Sequence, residues 1–223
     1  MFGSQINAPD GTVWLSPDVT PLNMVQRIDR AGLTATSGNV AIQTNVPQNS
    51  PIIVFGRAIN NNGVGFATVL TKANGFWVVN IRSAMIQSGN PTSYTARLYI
   101  FSNFVPSTAS KDWGIRYYDA SGALVWQEDM RPLDMKRVSF PNGVERVNVG
   151  YTNACVTSFC GLTAELYIPG TPEFYMFFEW TFASWGTNIE RRPASQFETS
   201  SGGGYVPWTT RETWYINTAI YDL

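Results

Sequence analysis

Three carboxylates, Glu128, Asp129 and Asp134, fall within a short stretch of the second half of the chain. Paired carboxyl groups flanking a sugar bond are the machinery of glycoside hydrolysis. Asp129, however, recurs as Asp18 in an internal repeat. A carboxylate present in both copies is better explained by a turn or cap, where its oxygens accept from nearby backbone N–H groups. Glu179 lies in the apolar run FYMFFEWTF. Strand alternation places it facing outward between inward aromatics, rather than buried as an acid of raised pKa. Histidine is absent throughout, which removes the commonest general base, the usual partner of a serine nucleophile and the commonest transition-metal ligand. Cys155 and Cys160 are the only cysteines, too few for a zinc site, and they are expected as buried, inert thiols. The chain is therefore expected not to be an enzyme and to carry no cofactor and no metal.

Aromatic side chains point instead to contacts. Six of the eight tryptophans fall after residue 112: Trp113, Trp126, Trp180, Trp185, Trp208 and Trp214. Trp126, Trp180 and Trp214 are expected to fill a core. Trp185 sits beside Gly186, and Trp208 follows SSGGGYVP. The candidate contact residues are accordingly Trp185, Gly202, Gly203, Gly204, Tyr205 and Trp208. Exposed Trp and Tyr serve protein contacts and also stack on sugar rings. The triple glycine is no phosphate loop, because no Gly-Lys-Ser/Thr follows it.

The elements that must position these residues are written twice. At a constant offset of 111, Gly3 falls on Gly114, Gly11 on Gly122, Asp18 on Asp129, Pro21 on Pro132, Leu22 on Leu133 and Met24 on Met135. Gly and Pro anchor turns through their backbone angles, so matched spacing predicts the same strand–turn–strand in each copy. Beyond Met24 the shared register decays. Length and offset together predict two domains, residues 1–106 and 110–223, with a polar seam near Asn103–Asp112.

Within each half the sequence reads as strands. Val, Ile, Thr and aromatics cluster in short runs split by Gly, Asn, Pro and Ser. The runs are Pro51–Ile59, Gly65–Thr71, Phe76–Ile81, Ser93–Phe101, Gly114–Tyr118, Ala123–Gln127, Val144–Tyr151, Ala164–Ile168, Phe174–Phe182 and Trp214–Ile220. Ser93–Phe101 alternates as a half-buried strand, with Tyr94, Ala96, Leu98 and Ile100 inward. Asn60–Gly63 and Lys72–Gly75 are hairpin turns, and Val19–Arg30 is expected to make a single helical turn. Short strands with turn-rich loops predict an all-β chain: two tandem antiparallel β-sandwich domains, Ig-like or jelly-roll-like, from an internal duplication.

Charged residues are only 14 % of the chain, against about 25 % ordinarily. The net charge of −1 conceals an asymmetry. Residues 1–111 hold seven basic and three acidic side chains, and the remainder eight basic and thirteen acidic. Opposite signs on two halves favour head-to-tail contact in a symmetric homo-oligomer. The basic residues are too scattered for a nucleic-acid footprint. No apolar run approaches membrane-spanning length, so no membrane insertion is expected. The opening MFGSQINAPD has neither the basic start nor the apolar segment of a signal peptide, which predicts synthesis in the cytoplasm.

The segment FGSQINAPDGTVWLSPD resembles the start of small tail proteins of long-tailed bacteriophages, in which a G-x-Q-φ-x-N-x-x-G pattern, φ being apolar, precedes a strand. Gly3, Gln5, Ile6 and Gly11 carry that pattern, Asn7 standing one place before its Asn where this chain has Ala8, and GIRYYDASGALVW is similar to the same segment. The resemblance implies a virion structural protein of the tail tip, baseplate or fibre-attachment region. Its partners would be other phage tail proteins and copies of itself, and its place the virion tail. The alternative is a module that binds a host-surface glycan or receptor.

Overall fold

The structure, a computed structural model, describes residues 6–7, 11, 13–15, 21–34, 37, 39–59, 64–82, 93–104, 115–119, 121–167, 175–199 and 208–222. The first half runs β1 (Ile6–Asn7), β2 (Val13–Leu15), β3 (Asn23–Leu33), β4 (Asn39–Pro47), β5 (Ile53–Ala58), β6 (Ala67–Ala73), β7 (Phe76–Arg82) and β8 (Tyr94–Ser102). The second runs β9 (Arg116–Tyr118), β10 (Leu124–Gln127), β11 (Met135–Ser139), β12 (Arg146–Asn148), β13 (Asn153–Cys155), β14 (Phe159–Tyr167), β15 (Tyr175–Trp185), β16 (Asn188–Thr199), β17 (Trp208–Thr209) and β18 (Glu212–Asn217). A single 3₁₀ turn, Thr218–Ile220, follows. The chain is all-β, and the strand pairings are antiparallel.

A six-stranded sheet with the order β11-β18-β13-β5-β8-β3 takes three strands from each half. The halves meet in it at Cys155, paired with Gly56. Beside it lie a three-stranded sheet, β4-β7-β6, and a five-stranded sheet, β12-β16-β15-β14-β17. Strand roles follow one order in both halves. β3 and β11 are edges of the large sheet, β5 and β13 its middle, and β8 and β18 return between edge and middle. β4, β6 and β7 occupy the places of β12, β15 and β16, while β14 and β17 extend the second half's outer sheet.

Three apolar clusters hold these layers. Tyr94, Ala96, Leu98 and Ile100 of β8 pack with Val79 and Ile81 of β7 and with Phe66, filling the space under the three-stranded sheet. Phe140, Cys155, Cys160, Phe182, Ile189 and Tyr215 fill the corresponding space of the second half. The third cluster belongs to both halves: Phe55, Tyr99 and Phe101 meet Ala154, Ile216 and Tyr221, flanked by Leu22, Met24 and Leu133. Tyr99 and Phe101 are fully buried. β8 is thus covered on both faces, not half-buried as its alternation implies, because the second half supplies a further layer.

Val19–Arg30 is not a helical turn; its described part begins β3. Register shifts between Met24 and Gln26 and between Arg30 and Leu33 break the two-residue period, which is why the sequence does not read as a strand there. The Lys72–Gly75 turn forms as expected. Asn74 and Gly75 take φ of 52° and 84° between the paired Ala73 and Phe76, the left-handed geometry a two-residue hairpin requires. The Asn60–Gly63 turn lies outside the described residues.

Two stability tests follow from this packing. Tyr221 is fully buried, with its ring edge-on to Phe101 at 5.0 Å. Its hydroxyl donates to the Pro132 carbonyl at 2.8 Å and accepts from the Asp134 N–H at 2.8 Å. Tyr221→Phe strands both partners and should cost about 1–3 kcal/mol; Tyr221→Ala also opens a cavity and should cost about 3–5 kcal/mol. Equal midpoints for the wild type and Tyr221→Phe in urea denaturation would contradict this. A Cβ on Gly56 would stand 2.9 Å from Phe66 Cζ and 3.0 Å from Thr157 Cγ2. Both neighbours are buried, so Gly56→Ala should cost about 1–3 kcal/mol by overpacking, read in the same denaturation experiment.

Candidate functional site

The two sequence copies fold into two hairpins of one register. In β1–β2, Ile6 pairs with Leu15 and Asn7 with Val13. In β9–β10, Tyr117 pairs with Trp126 and Tyr118 with Leu124. Each of these positions is the 111-residue equivalent of the other, and both hairpins shift register at the same place. Gly11 and Gly122 take φ of 85° and 83°, a left-handed conformation that residues with a Cβ rarely adopt. The equivalence predicted for these two glycines therefore holds at the level of backbone angle and pairing.

In the second hairpin the turn is braced by its own side chain. The Gly122 N–H donates to the Asp119 carbonyl at 3.1 Å, and the Asp119 N–H donates to the Ala123 carbonyl at 2.9 Å. Asp119 Oδ1 accepts from the Ser121 N–H, the Ser121 hydroxyl and the Ala123 N–H. These bonds, led by the Ser121 hydroxyl, hold the Asp119 carboxyl below its ordinary pKa. Val125 and Gln127 are buried and anchor the hairpin, and Tyr117 meets Trp126 edge-on at 5.7 Å. Ile115, 62 % exposed, and Tyr118, 50 % exposed, stand open to solvent. Among the described residues neither hairpin joins a larger sheet.

The segments that leave the hairpins also meet. The Leu133 N–H donates to the Leu22 carbonyl at 2.7 Å, and the Met24 N–H donates to the Arg131 carbonyl at 2.8 Å. Asn23 bridges Pro132 in antiparallel fashion. Leu22 and Leu133 are equivalents in the repeat, and here they face each other, as a local two-fold relation requires. These segments run into β3 and β11, the two edges of the large sheet, so its edges approach each other at the hairpin end.

The residues singled out from sequence are not gathered in one place by the described structure. Trp185 ends β15 and is half-buried, with the Arg146 guanidinium 5.1 Å from its ring centre. Trp208 lies in β17, where its backbone pairs with Leu162. Gly202, Gly203, Gly204 and Tyr205 lie outside the described residues. Glu128 and Asp129 sit exposed in the turn after β10, and the Glu128 N–H donates to the Ile115 carbonyl at 3.2 Å. Asp134 is exposed, and Glu179 pairs with Leu162 and Ser195 in β15. Trp214, expected in a core, is 44 % exposed on β18 opposite Arg137. Among the described residues no group of three or more His, Cys, Asp or Glu could hold a metal ion, and no helix is long and apolar enough to cross a membrane.

Sequence reasoning missed a charge network that closes the shared cluster. Arg97 is bidentate to Asp29, at 2.7 Å from Nε to Oδ1 and 2.7 Å from Nη2 to Oδ2. It also donates to Asp222 at 3.1 Å, and the Tyr99 hydroxyl donates to the same carboxylate at 2.8 Å. The hydrogen bonds from Arg97 hold the Asp29 carboxyl below its ordinary pKa. Partners 68 and 125 residues apart leave no local signal.

A scan against protein-family models and searches of curated proteins and of solved structures find no match to this chain.

Both cysteines are free and buried. Burial pushes the Cys155 thiol from 9.0 up to about 12 and the Cys160 thiol up to about 11. The unfolded chain therefore ionises first. The stability these thiols contribute is complete below the ordinary value of 9.0 and is lost as pH rises through 11 to 12. At pH 8 a thiol reagent should leave the native chain unlabelled and label both cysteines on unfolding. Rapid labelling of the native chain at that pH would contradict the buried, protonated state.

Proposed function

We propose that this chain is a structural subunit of a bacteriophage tail tip, baseplate or fibre-attachment region, acting by protein–protein assembly in the virion tail. One observation carries the reading: a single hairpin, with one register and one left-handed glycine, stands twice on a body built jointly by both halves. Duplicated presentation of one element serves multivalent contact. Of the phage-like pattern, Ile6 and Gly11 belong to this same hairpin. The shared order of strand roles supports descent of both halves from one duplicated sandwich, divided between residues 106 and 110 and joined edge to edge through β5 and β13.

The second reading, binding of a host-surface glycan or receptor, draws on Tyr118 and Trp214, whose exposed rings suit stacking on a sugar. Phage particles tagged on this chain and imaged by electron microscopy should carry the tag at the tail end. Purified particles that lack the chain altogether would overturn the assembly reading. Particles that assemble normally with Trp214→Ala or Tyr118→Ser but no longer adsorb to cells would move the function to receptor binding.

A further inference from the structure

We propose that the sheet face around Trp214 is a saccharide-binding platform, on which an uncharged sugar ring stacks while Arg137 and Glu212 hold its hydroxyls. This rests on the second reading above and narrows its ligand from a glycan or receptor to a neutral sugar chain.

The register of two strands assembles the site. Between β11 and β18, Met135 pairs with Ile216, Arg137 with Trp214 and Ser139 with Glu212. Cross-strand partners, and residues two apart on one strand, share a face. Trp214, Arg137, Glu212, Ser139 and Met135 therefore lie on one face of the six-stranded sheet. Val138 and Tyr215 alternate with them and enter the core of the second half. Trp214 is 44 % exposed and Met135 43 %. The polar groups beside the ring are already held: Glu212 accepts from the Ser139 hydroxyl at 3.0 Å and from Arg137 at 3.4 Å.

The fold does not require an aromatic at this place. The halves join where Cys155 pairs with Gly56, and next to these stand Tyr215 and Leu98. One residue further on, Arg57 pairs with Arg97, and the Val156 N–H donates to the Trp214 carbonyl. Trp214 thus stands where the first half has Arg97, and its partner Arg137 where the first half has Asp29. In the first half the place is polar and is closed by Asp222, 3.1 Å from Arg97. In the second half the ring is left open, so packing does not account for it.

Size and charge select the ligand. An aromatic side chain buries about 150–250 Å² in all, so the open part of Trp214 is on the order of 100 Å². A stable protein interface takes about 800 Å² from each partner. The open ring matches one sugar ring instead. The C–H face of a pyranose meets the electron-rich face of the indole, and its rim hydroxyls need donors and acceptors. Arg137 supplies only donors and Glu212 only acceptors. Their charges cancel, which suits an uncharged ligand better than an acidic one.

Titration of the purified full chain with cello-, malto- and manno-oligosaccharides, and with oligogalacturonate as the acidic comparison, tests this by calorimetry and tryptophan fluorescence. At least one neutral sugar should bind with a change in fluorescence, and oligogalacturonate should bind more weakly. Trp214→Ala should weaken binding by about tenfold or more, with the urea midpoint of the wild type, since the ring is exposed. Trp214→Tyr should restore much of the affinity, and Arg137→Ala or Glu212→Gln should each reduce it. Failure of every neutral sugar to bind, tighter binding of oligogalacturonate, or unchanged affinity in Trp214→Ala would overturn the proposal. Sugar binding through Trp214, in particles that still adsorb to cells as Trp214→Ala, would keep the platform and defeat the receptor reading. Loss of adsorption by Trp214→Ala, with no neutral sugar bound, would do the reverse.

Discussion

Tyr221 lies at the place where the two halves become one body. Its ring packs against Phe101 and Tyr99 of the first half, and its hydroxyl is held by the Pro132 carbonyl and the Asp134 N–H of the second. A buried hydroxyl is tolerated only where it is hydrogen-bonded, so those two backbone groups must stay in place for the cluster to close. They belong to the segment that pairs with Leu22–Met24. Tyr221 thereby fixes how the edges of the six-stranded sheet approach each other. Neither half completes this cluster alone. The close packing of Gly65 against Thr181, Ala183 and Arg192 repeats the dependence on the other side of the molecule.

The charges follow the same division. By sequence the first half is basic and the second acidic, as if prepared for a neighbouring copy. In the structure part of that complementarity is used within the chain, because Asp222 takes both Arg27 and Arg97. Glu145 binds Arg191 and Arg211, and Glu190 binds Arg146 and Arg192. The partly exposed pairs of Asp222 contribute about 0–1 kcal/mol each, so their role is placement. Glu190 and Arg191 are buried and stay paired because an isolated charge there would be costly. Of these pairs only those of Asp222 join the two halves; the Glu145 and Glu190 pairs tie the second half to itself.

The hairpins were legible in the sequence because their shape is set locally. A glycine in a left-handed turn and a proline at a fixed distance leave the same trace wherever the segment sits. The Asn74–Gly75 turn was legible for the same reason, and so were β5, β7 and β8, rich in β-branched and aromatic residues. β3 was hidden by its two bulges, and β4 and β16 by polar residues, among them Thr44, Glu190 and Arg191, whose partners Trp77, Arg146 and Glu145 lie far away in sequence. The burial of β8 on both faces could not be read from its alternation, since the covering residues Ala154, Ile216 and Tyr221 lie far along the chain in the other half. Trp214 shows the converse: an aromatic counted toward a core is left on the outside, because only alternate positions of β18 face inward.

The contrast between what diverged and what did not follows from these constraints. A strand inside a sandwich answers to the residues packed against it. Gly56 is small because Phe66 and Thr157 leave no room for a Cβ, while the residue paired with it, Cys155, is surrounded by Phe140, Phe182 and Tyr215. The two halves share one sheet, but the residues that fill the space on either side of it differ. The second hairpin joins no larger sheet among the described residues and is held to the body by the buried Val125 and Gln127. It braces the turn with Asp119, where the first carries Ala8, so even the bracing chemistry is free to change. What remains common to both is the backbone register and the turn glycine, the features that decide the hairpin's own shape rather than how the body is filled.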